Sequence, residues 1–347
     1  MECRRLGRSD LQVSLICLGS MTWGIQNTEA EGFEQMDYAF DQGVNFVDTA
    51  EMYPVAPNAE TYGRTEQIIG NWMAARGNRD KVIIATKIVG PNAGRFPYIR
   101  GGGTRFNKRH IAAAVEASLK RLQTDTIDLY QLHWPDRATN DFGSLAYTHT
   151  DGAAETPIEE TLDALGELVK AGKLRHIGLS NENPWGVMRF LALAEQGRGP
   201  RIVSVQNPYS LLNRSYETRL AEVSIREEVG LLAYAPLAAG TLSGKYLADQ
   251  WPQGARRSLW PDNRRYQGVQ ADKATAAYVQ LARDHGLDPV ELALAFVLRQ
   301  RFLGAAIVGA TGMAQLKTDI GAAKVTLTDE ILKAVEEIHR VYTYPCP

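Results

Sequence analysis

Apolar positions along this chain switch period repeatedly. Short runs rich in aliphatic and β-branched residues occur as "SLICLG" from Ser14, "VNFVD" from Val44, "VIIATK" from Val82 and "IDLYQLH" from Ile127. Four more follow: "RHIGLSN" from Arg175, "IVSVQN" from Ile202, "LLAYAPL" from Leu231 and "AAIVGA" from Ala305. Together they predict eight buried strands. Between them, apolar residues recur at helical spacing behind cap residues. This predicts helices over Thr28–Gln42, Thr65–Arg76, Asn107–Leu122, Thr156–Ala171, Asn183–Glu195, Ser215–Val229 and Asp272–Gln300. The last contains "GLDP" and reads as two helices with a turn. "GMAQLKTDIGA" and "TLTDEILKAVEEIHRVY" supply further helices. At the start, "CRRLGRSDLQVSLICLG" puts a Gly-Arg-Ser-Asp turn between two alternating segments, predicting a short N-terminal β-hairpin.

Eight strand and helix alternations favour a parallel (β/α)8 TIM barrel over a doubly wound open sheet. The open sheet's nucleotide fingerprint is missing, because "GSMTWG" after the first strand lacks the GxGxxG spacing. The chain of 347 residues is read as one barrel domain over its full length. Extra length collects after particular strands, at Pro54–Arg64, Gly90–Phe106, Trp134–Glu155 and Pro236–Gln270. These long loops belong to the C-terminal face, where barrels carry their sites.

Composition changes this picture little. A hydrophobic fraction of 44% and a charged fraction of 22% suit an ordinary packed core, and the formal charge of -2 leaves no footprint for nucleic acid. No apolar run is long enough for a membrane span, and the N-terminus lacks the apolar stretch of a signal peptide. Three Cys without a CxxC pair fit a reducing compartment, so a cytoplasmic location is expected. The six His show neither HxH nor HExxH spacing, which argues against a metal site.

Candidate chemistry comes from the strand ends. In a barrel the polar residues closing each strand share one mouth: Asp48, Lys87, His133, Ser180 with Asn181, Gln206 and Tyr234, with Tyr53 just past Asp48. Taken singly, each is as well explained as a surface polar residue; the set is harder to dismiss. A Lys87 ammonium beside Tyr53 should lower the phenol's pKa, Asp48 should hold Lys87, and His133 can donate a hydrogen bond to a substrate oxygen or help pass a proton. Ser180, Asn181 and Gln206 can bind a carboxamide while Tyr234 stacks on a planar ring, features that suit a nicotinamide. "GTLSGKY" at Gly240 is not a Walker loop, being one residue short. With Lys245 it remains a candidate for a pyrophosphate, as does "GATGMAQLK" at a helix start. Trp23 and Trp134 are candidate substrate-pocket walls.

"NFVDTAEMYP", "IIATK", "DLYQLHWP", "IGLSNE", "QNPYSLLNR" and "LLAYAPLAAGTLSGKY", in this order, resemble the aldo-keto reductase superfamily from about Arg5 to the C-terminus. The resemblance is closest to its bacterial Tas-like branch. It implies a catalytic tetrad of Asp48, Tyr53, Lys87 and His133, with Tyr53 the general acid in carbonyl reduction and NADPH extended across the mouth, NADH being less favoured. It also implies carboxamide contacts at Ser180, Asn181 and Gln206, and ring stacking on Tyr234. Phosphate contacts would come from Ala235, Pro236, Leu237, Ala238, Gly240, Leu242, Ser243, Gly244 and Lys245, from Arg264, and from Gly309, Thr311, Gln315 and Asp319. One position departs from the pattern: Asp319 stands where related chains often have Asn. A carboxylate there would weaken NADP preference unless Lys245, Lys317 or Arg264 outweighs it. The expected activity is reduction of a small-molecule aldehyde or ketone, with no nucleic-acid or membrane partner and no oligomeric state implied. Two rivals remain: an NADP(H)-sensing regulatory subunit with little turnover, and a Schiff-base lyase using Lys87 as nucleophile.

Overall fold

A computed structural model describes residues 1–92, 94–140, 142–150, 155–262 and 264–346. Among the described residues there are ten strands: β1 (Cys3–Arg5), β2 (Gln12–Ser14), β3 (Ile16–Gly19), β4 (Phe46–Asp48), β5 (Ile83–Ile88), β6 (Ile127–Leu132), β7 (Leu174–Ser180), β8 (Ile202–Pro208), β9 (Gly230–Tyr234) and β10 (Leu303–Val308). The last eight pair in parallel and close on themselves, β10 joining both β3 and β9. This is the expected TIM barrel. β1 and β2 form the expected antiparallel hairpin.

Helices surround the barrel: α1 (Glu29–Asp41), α2 (Arg64–Arg76), α3 (Lys108–Leu122), α4 (Ile158–Lys170), α5 (Pro184–Glu195), α6 (Ser215–Arg219), α7 (Ala221–Arg226), α8 (Arg256–Leu259), α9 (Val269–Asp284), α10 (Pro289–Leu298), α11 (Met313–Gly321) and α12 (Asp329–Val341). Their starts follow the cap residues in the sequence. Thr28 and Glu31 form a capping box on α1, and Asp288 with Glu291 forms another on α10, where Pro289 opens the helix. The stretch expected as one helix over Ser215–Val229 is instead two pieces. Leu220 takes φ -113° between α6 and α7, although hydrogen bonds from Leu220 to Tyr216 and from Ser224 to Leu220 run across the step. α8 lies in a long loop and has no periodicity to reveal it.

Two apolar layers hold the architecture. The larger lies between strands and helices; the smaller fills the barrel interior with Cys17, Phe46, Ala85, Leu129 and Leu232 against Leu6, Leu11 and Val13 of the hairpin. The hairpin therefore plugs the N-terminal end. Burying each Leu or Phe there is worth roughly 1.5–3 kcal/mol. Polar clamps fix its seating: Asn45, just before β4, accepts from the Ser14 amide at 2.8 Å and donates to the Gln12 carbonyl at 2.8 Å. Strand alternation then does the rest. Two residues above Phe46, Ala85, Leu129 and Leu232 stand Asp48, Lys87, Gln131 and Tyr234, so the apolar floor sets which polar side chains face the mouth.

The hairpin turn depends on Gly7. Its φ is +56°, and a Cβ there would sit 2.3 Å from the Val203 carbonyl oxygen. Gly7→Ala should therefore destabilise the fold by about 2 kcal/mol or more, read as a lower urea midpoint at unchanged m-value.

Candidate active site

The centre of the mouth is an ion pair sealed from water. Lys87 Nζ lies 2.6 Å from Asp48 Oδ2 and also donates to the Thr49 carbonyl at 2.7 Å, with the two side chains 0% and 4% exposed. The other carboxylate oxygen, Asp48 Oδ1, accepts from Gln206 Nε2 at 2.8 Å and Gln131 Nε2 at 3.2 Å. Burying the pair would be costly without this saturation of acceptors. Burial alone would lower the Lys87 pKa, but Asp48 and Tyr53 together carry it above its ordinary value. Lys87 is thus a fixed cation. Gln131 was not among the expected site residues. Its signal was the strand period, since Leu129, Gln131 and His133 fall on one face.

Tyr53 reaches this pair from the loop after β4. That loop is tied to its neighbours: the Val55 amide donates to Met21 O at 2.9 Å and the Gly63 amide to Tyr53 O at 2.9 Å. The buried Glu51 carboxylate accepts from the Val89 amide at 2.6 Å and pairs with Arg100. Lys87 Nζ lies 5.0 Å from the Tyr53 ring centroid, and the His133 ring stands edge-on to Tyr53 at 5.8 Å. Two of the three Lys87 protons are committed to Asp48 and Thr49, leaving one for the phenol. The expected net lowering of the Tyr53 pKa is not found. Burial raises it first and furthest, and the opposing pull of Lys87, helped by Arg256, offsets only part of that. Burial, then Lys87, pushes the His133 pKa well below its ordinary value. The ring is neutral, buried, and has no partner for Nδ1 among the described residues. Trp134 packs on His133 with ring centroids 5.0 Å apart and is half-buried, consistent with a wall of the mouth.

The neighbouring strand ends are brought together as expected. Ser180 Oγ donates to Gln206 O at 2.9 Å, Asn181 Nδ2 donates to His133 O at 2.8 Å, and Tyr234 Oη donates to Asn181 Oδ1 at 2.7 Å. The Gln206 amide nitrogen is engaged by Asp48, which leaves its Oε1 as the acceptor open to a carboxamide. After Tyr234 the chain passes through left-handed φ at Ala235, Ala238, Ala239 and Gly240, a costly conformation for alanine, and the amides of Ala238 and Gly240 close tight turns onto the Ala235 and Leu237 carbonyls. Lys245 Nζ lies across this segment, 2.8 Å from where a Cβ on Gly240 would stand. Ala238 and Leu242 are buried in the core, and their amides already donate to the Ala235 and Leu237 carbonyls. Gly309 and Thr311 lead into α11, where the Thr311 amide and hydroxyl both donate to Gln315 Oε1. Arg264 is exposed.

Trp23 does not belong to the mouth. It is 0% exposed, its indole donates to Gln35 Oε1 at 3.0 Å, and it packs in the layer beneath α1 and α2. Met21 is the half-buried residue that lies beside the Tyr53 loop. A loop aromatic two residues away carries no period to reveal which way it turns. A cavity of about 400 Å³ opens beside the mouth between the β6–α4 loop, α4 and α5, lined by Trp134, Arg137, Ser180, Glu182, Trp185 and Phe190 among others. Asp48, Tyr53, Lys87 and His133 do not line it.

Asp319 is buried on α11, and no hydrogen bond or ion pair among the described residues reaches its carboxylate. Burial raises its pKa from 3.8 to about 7, against a smaller lowering by Lys245 and a further rise from Asp288. Of the three cations expected to offset it, Lys245 alone acts on it, while Lys317 turns onto the Tyr38 ring. The folded state therefore holds a proton that the unfolded chain releases near pH 4, and this contribution to stability is lost as pH rises from about 4 through 7. Asp319→Asn should leave stability near pH 4 little changed. At pH 8 it should raise stability by at most roughly 4 kcal/mol, measured as a pH series of urea unfolding curves.

Comparison with known proteins identifies the family. The Aldo/keto reductase family profile matches residues 15–340. "Protein tas" of Escherichia coli (strain K12) is 52% identical over 347 residues, covering 100% of both chains. "Uncharacterized oxidoreductase YrpG" of Bacillus subtilis (strain 168) is 36% identical over 97% of this chain and 96% of its own. "Norsolorinic acid reductase B" of Aspergillus parasiticus is 29% identical over 95% of this chain and 82% of its own. The chain belongs to the Aldo/keto reductase family and is an oxidoreductase acting on carbonyls.

Proposed function

We propose that this barrel, acting as one domain, reduces aldehyde or ketone carbonyls to alcohols with NADPH as the electron source. The observation that carries the reading is the Lys87–Asp48 pair beneath Tyr53, a fixed cation directly beside a half-buried phenol. Ser180, Asn181 and Gln206 would hold the carboxamide and Tyr234 the ring, with the segment from Ala235 to Lys245 and the start of α11 holding the phosphates. Bound there, the reduced nicotinamide would supply the hydride that no side chain can.

The protein's own part is proton transfer and positioning. As the carbonyl carbon gains a hydride, its oxygen takes the Tyr53 proton, and the phenolate left behind is balanced by Lys87 until solvent restores the proton. The overall reaction consumes one carbonyl, one NADPH and one proton and yields one alcohol and one NADP+. The raised pKa of the free phenol suits this role, because Tyr53 stays protonated at neutral pH and the cost of ionising it falls on the step where Lys87 acts. His133, kept neutral, can donate one hydrogen bond to the carbonyl oxygen without bringing a second charge. A Lys87 held as ammonium by Asp48 is a poor nucleophile, which counts against the Schiff-base rival.

Tyr53→Phe should lose at least about 10²-fold in kcat while still binding NADPH; near-normal turnover would overturn the mechanism. NADPH should quench tryptophan fluorescence at lower concentration than NADH. Equal affinities would mean that Asp319 cancels the 2'-phosphate preference and that the cofactor assignment is wrong.

A further inference from the structure

The loop after β9 returns to the mouth through α8, whose first residue is Arg256. Its Nη1 donates to the Met21 sulfur at 3.7 Å, and Met21 O accepts from Val55, two residues beyond Tyr53. Tyr53 feels this guanidinium as a positive charge. Around it stand three phenols, Tyr53, Tyr246 and Tyr266, and a second cation, Arg265. A thioether is a weak acceptor. Among the described residues no carboxylate pairs with Arg256, and its Nε is buried without a hydrogen-bond partner.

That makes Arg256 an exception. Arg100, Arg121 and Arg137, also largely buried, each pair with a buried glutamate: Glu51, Glu66 and Glu182. Even the adjacent Arg257 donates to Tyr266 O and lies 3.9 Å from Asp272. A guanidinium half removed from water and left without an anion is costly, and a protein that pairs its neighbours so consistently leaves that cost for a ligand to offset. A guanidinium fork matches carboxylate or phosphate oxygens. The phosphate path already has its own cation in Lys245, whereas Arg256 lies at the Tyr53 end.

We propose that Arg256 binds the anionic group of the substrate, so that the favoured carbonyl compounds are oxo acids carrying a carboxylate apart from the reacting carbonyl. The inference rests on the reading of Tyr53 as proton donor to that carbonyl. Neutral and charged aldehydes of matched shape separate the two.

Steady-state kcat/KM would be measured for 4-carboxybenzaldehyde against benzaldehyde and for succinic semialdehyde against butanal, using the full chain, Arg256→Gln and Arg256→Lys. NADPH affinity would be taken from fluorescence on the same samples. The wild type should prefer the charged member of each pair by about tenfold or more. Arg256→Gln should bring that charged-over-neutral ratio down to about one, through KM, with Arg256→Lys in between. Equal losses for both members together with weakened NADPH binding would assign the residue to a cofactor phosphate and overturn the proposal. A ratio near one in the wild type would overturn it too, while turnover of benzaldehyde or butanal kept the reductase reading intact. Failure of the wild type on all four compounds would sink that reading and this inference with it.

Discussion

The Lys87–Asp48 pair is the constraint around which this mouth is organised. Two full charges are sealed from water at the top of an apolar barrel, and they are tolerable there because every oxygen of the carboxylate and two ammonium protons have partners. Those partners come from separate strands: Asp48 ends β4, Lys87 lies in β5, Gln131 in β6 and Gln206 in β8. Four strands are therefore held in register by one anion. The same saturation holds Lys87 as an ammonium and leaves its charge as a field, which lowers the pKa of Tyr53 and of His133 alike.

Burial and charge compete differently at those two neighbours. For His133, desolvation and Lys87 both disfavour the cation, so the ring is neutral. For Tyr53 they oppose each other, and desolvation wins in the free protein. A phenol held protonated until charge begins to develop on its oxygen is suited to giving up its proton in the reactive step.

Much of this was legible in the sequence for physical reasons that can be named. Strand ends converge in a barrel, so Asp48, Lys87, His133 and Gln206 could be placed together by topology without any contact being known. Gln131 was equally accessible through the two-residue period. The unread features are those decided by tertiary packing alone. Trp23 sits in an irregular loop, where orientation has no period, and it turned to Gln35 in the core. The sign of the Tyr53 shift depends on how much water the surrounding loops exclude, which charge counting cannot supply. Arg256 lies in a long irregular loop, and that no carboxylate among the described residues reaches it is decided by tertiary packing alone.

Two uncompensated groups bracket the site, and they are of opposite sign. Arg256 stands at the Tyr53 end with the Met21 sulfur and the Trp260 ring but no carboxylate among the described residues, and Asp319 lies buried without a hydrogen-bonding partner among them on α11, with Lys245 acting on it from a distance. Their responses to burial differ. A carboxyl can escape the cost by taking up a proton, and Asp319 does so near neutral pH; a guanidinium has no such route in the physiological range and stays charged. The cost at Asp319 is thus discharged by the free protein, whereas the cost at Arg256 persists until an anion arrives. By that asymmetry Arg256 can add binding energy to a charged substrate, while a phosphate bound beside Asp319, as proposed, would depend on that residue's own proton.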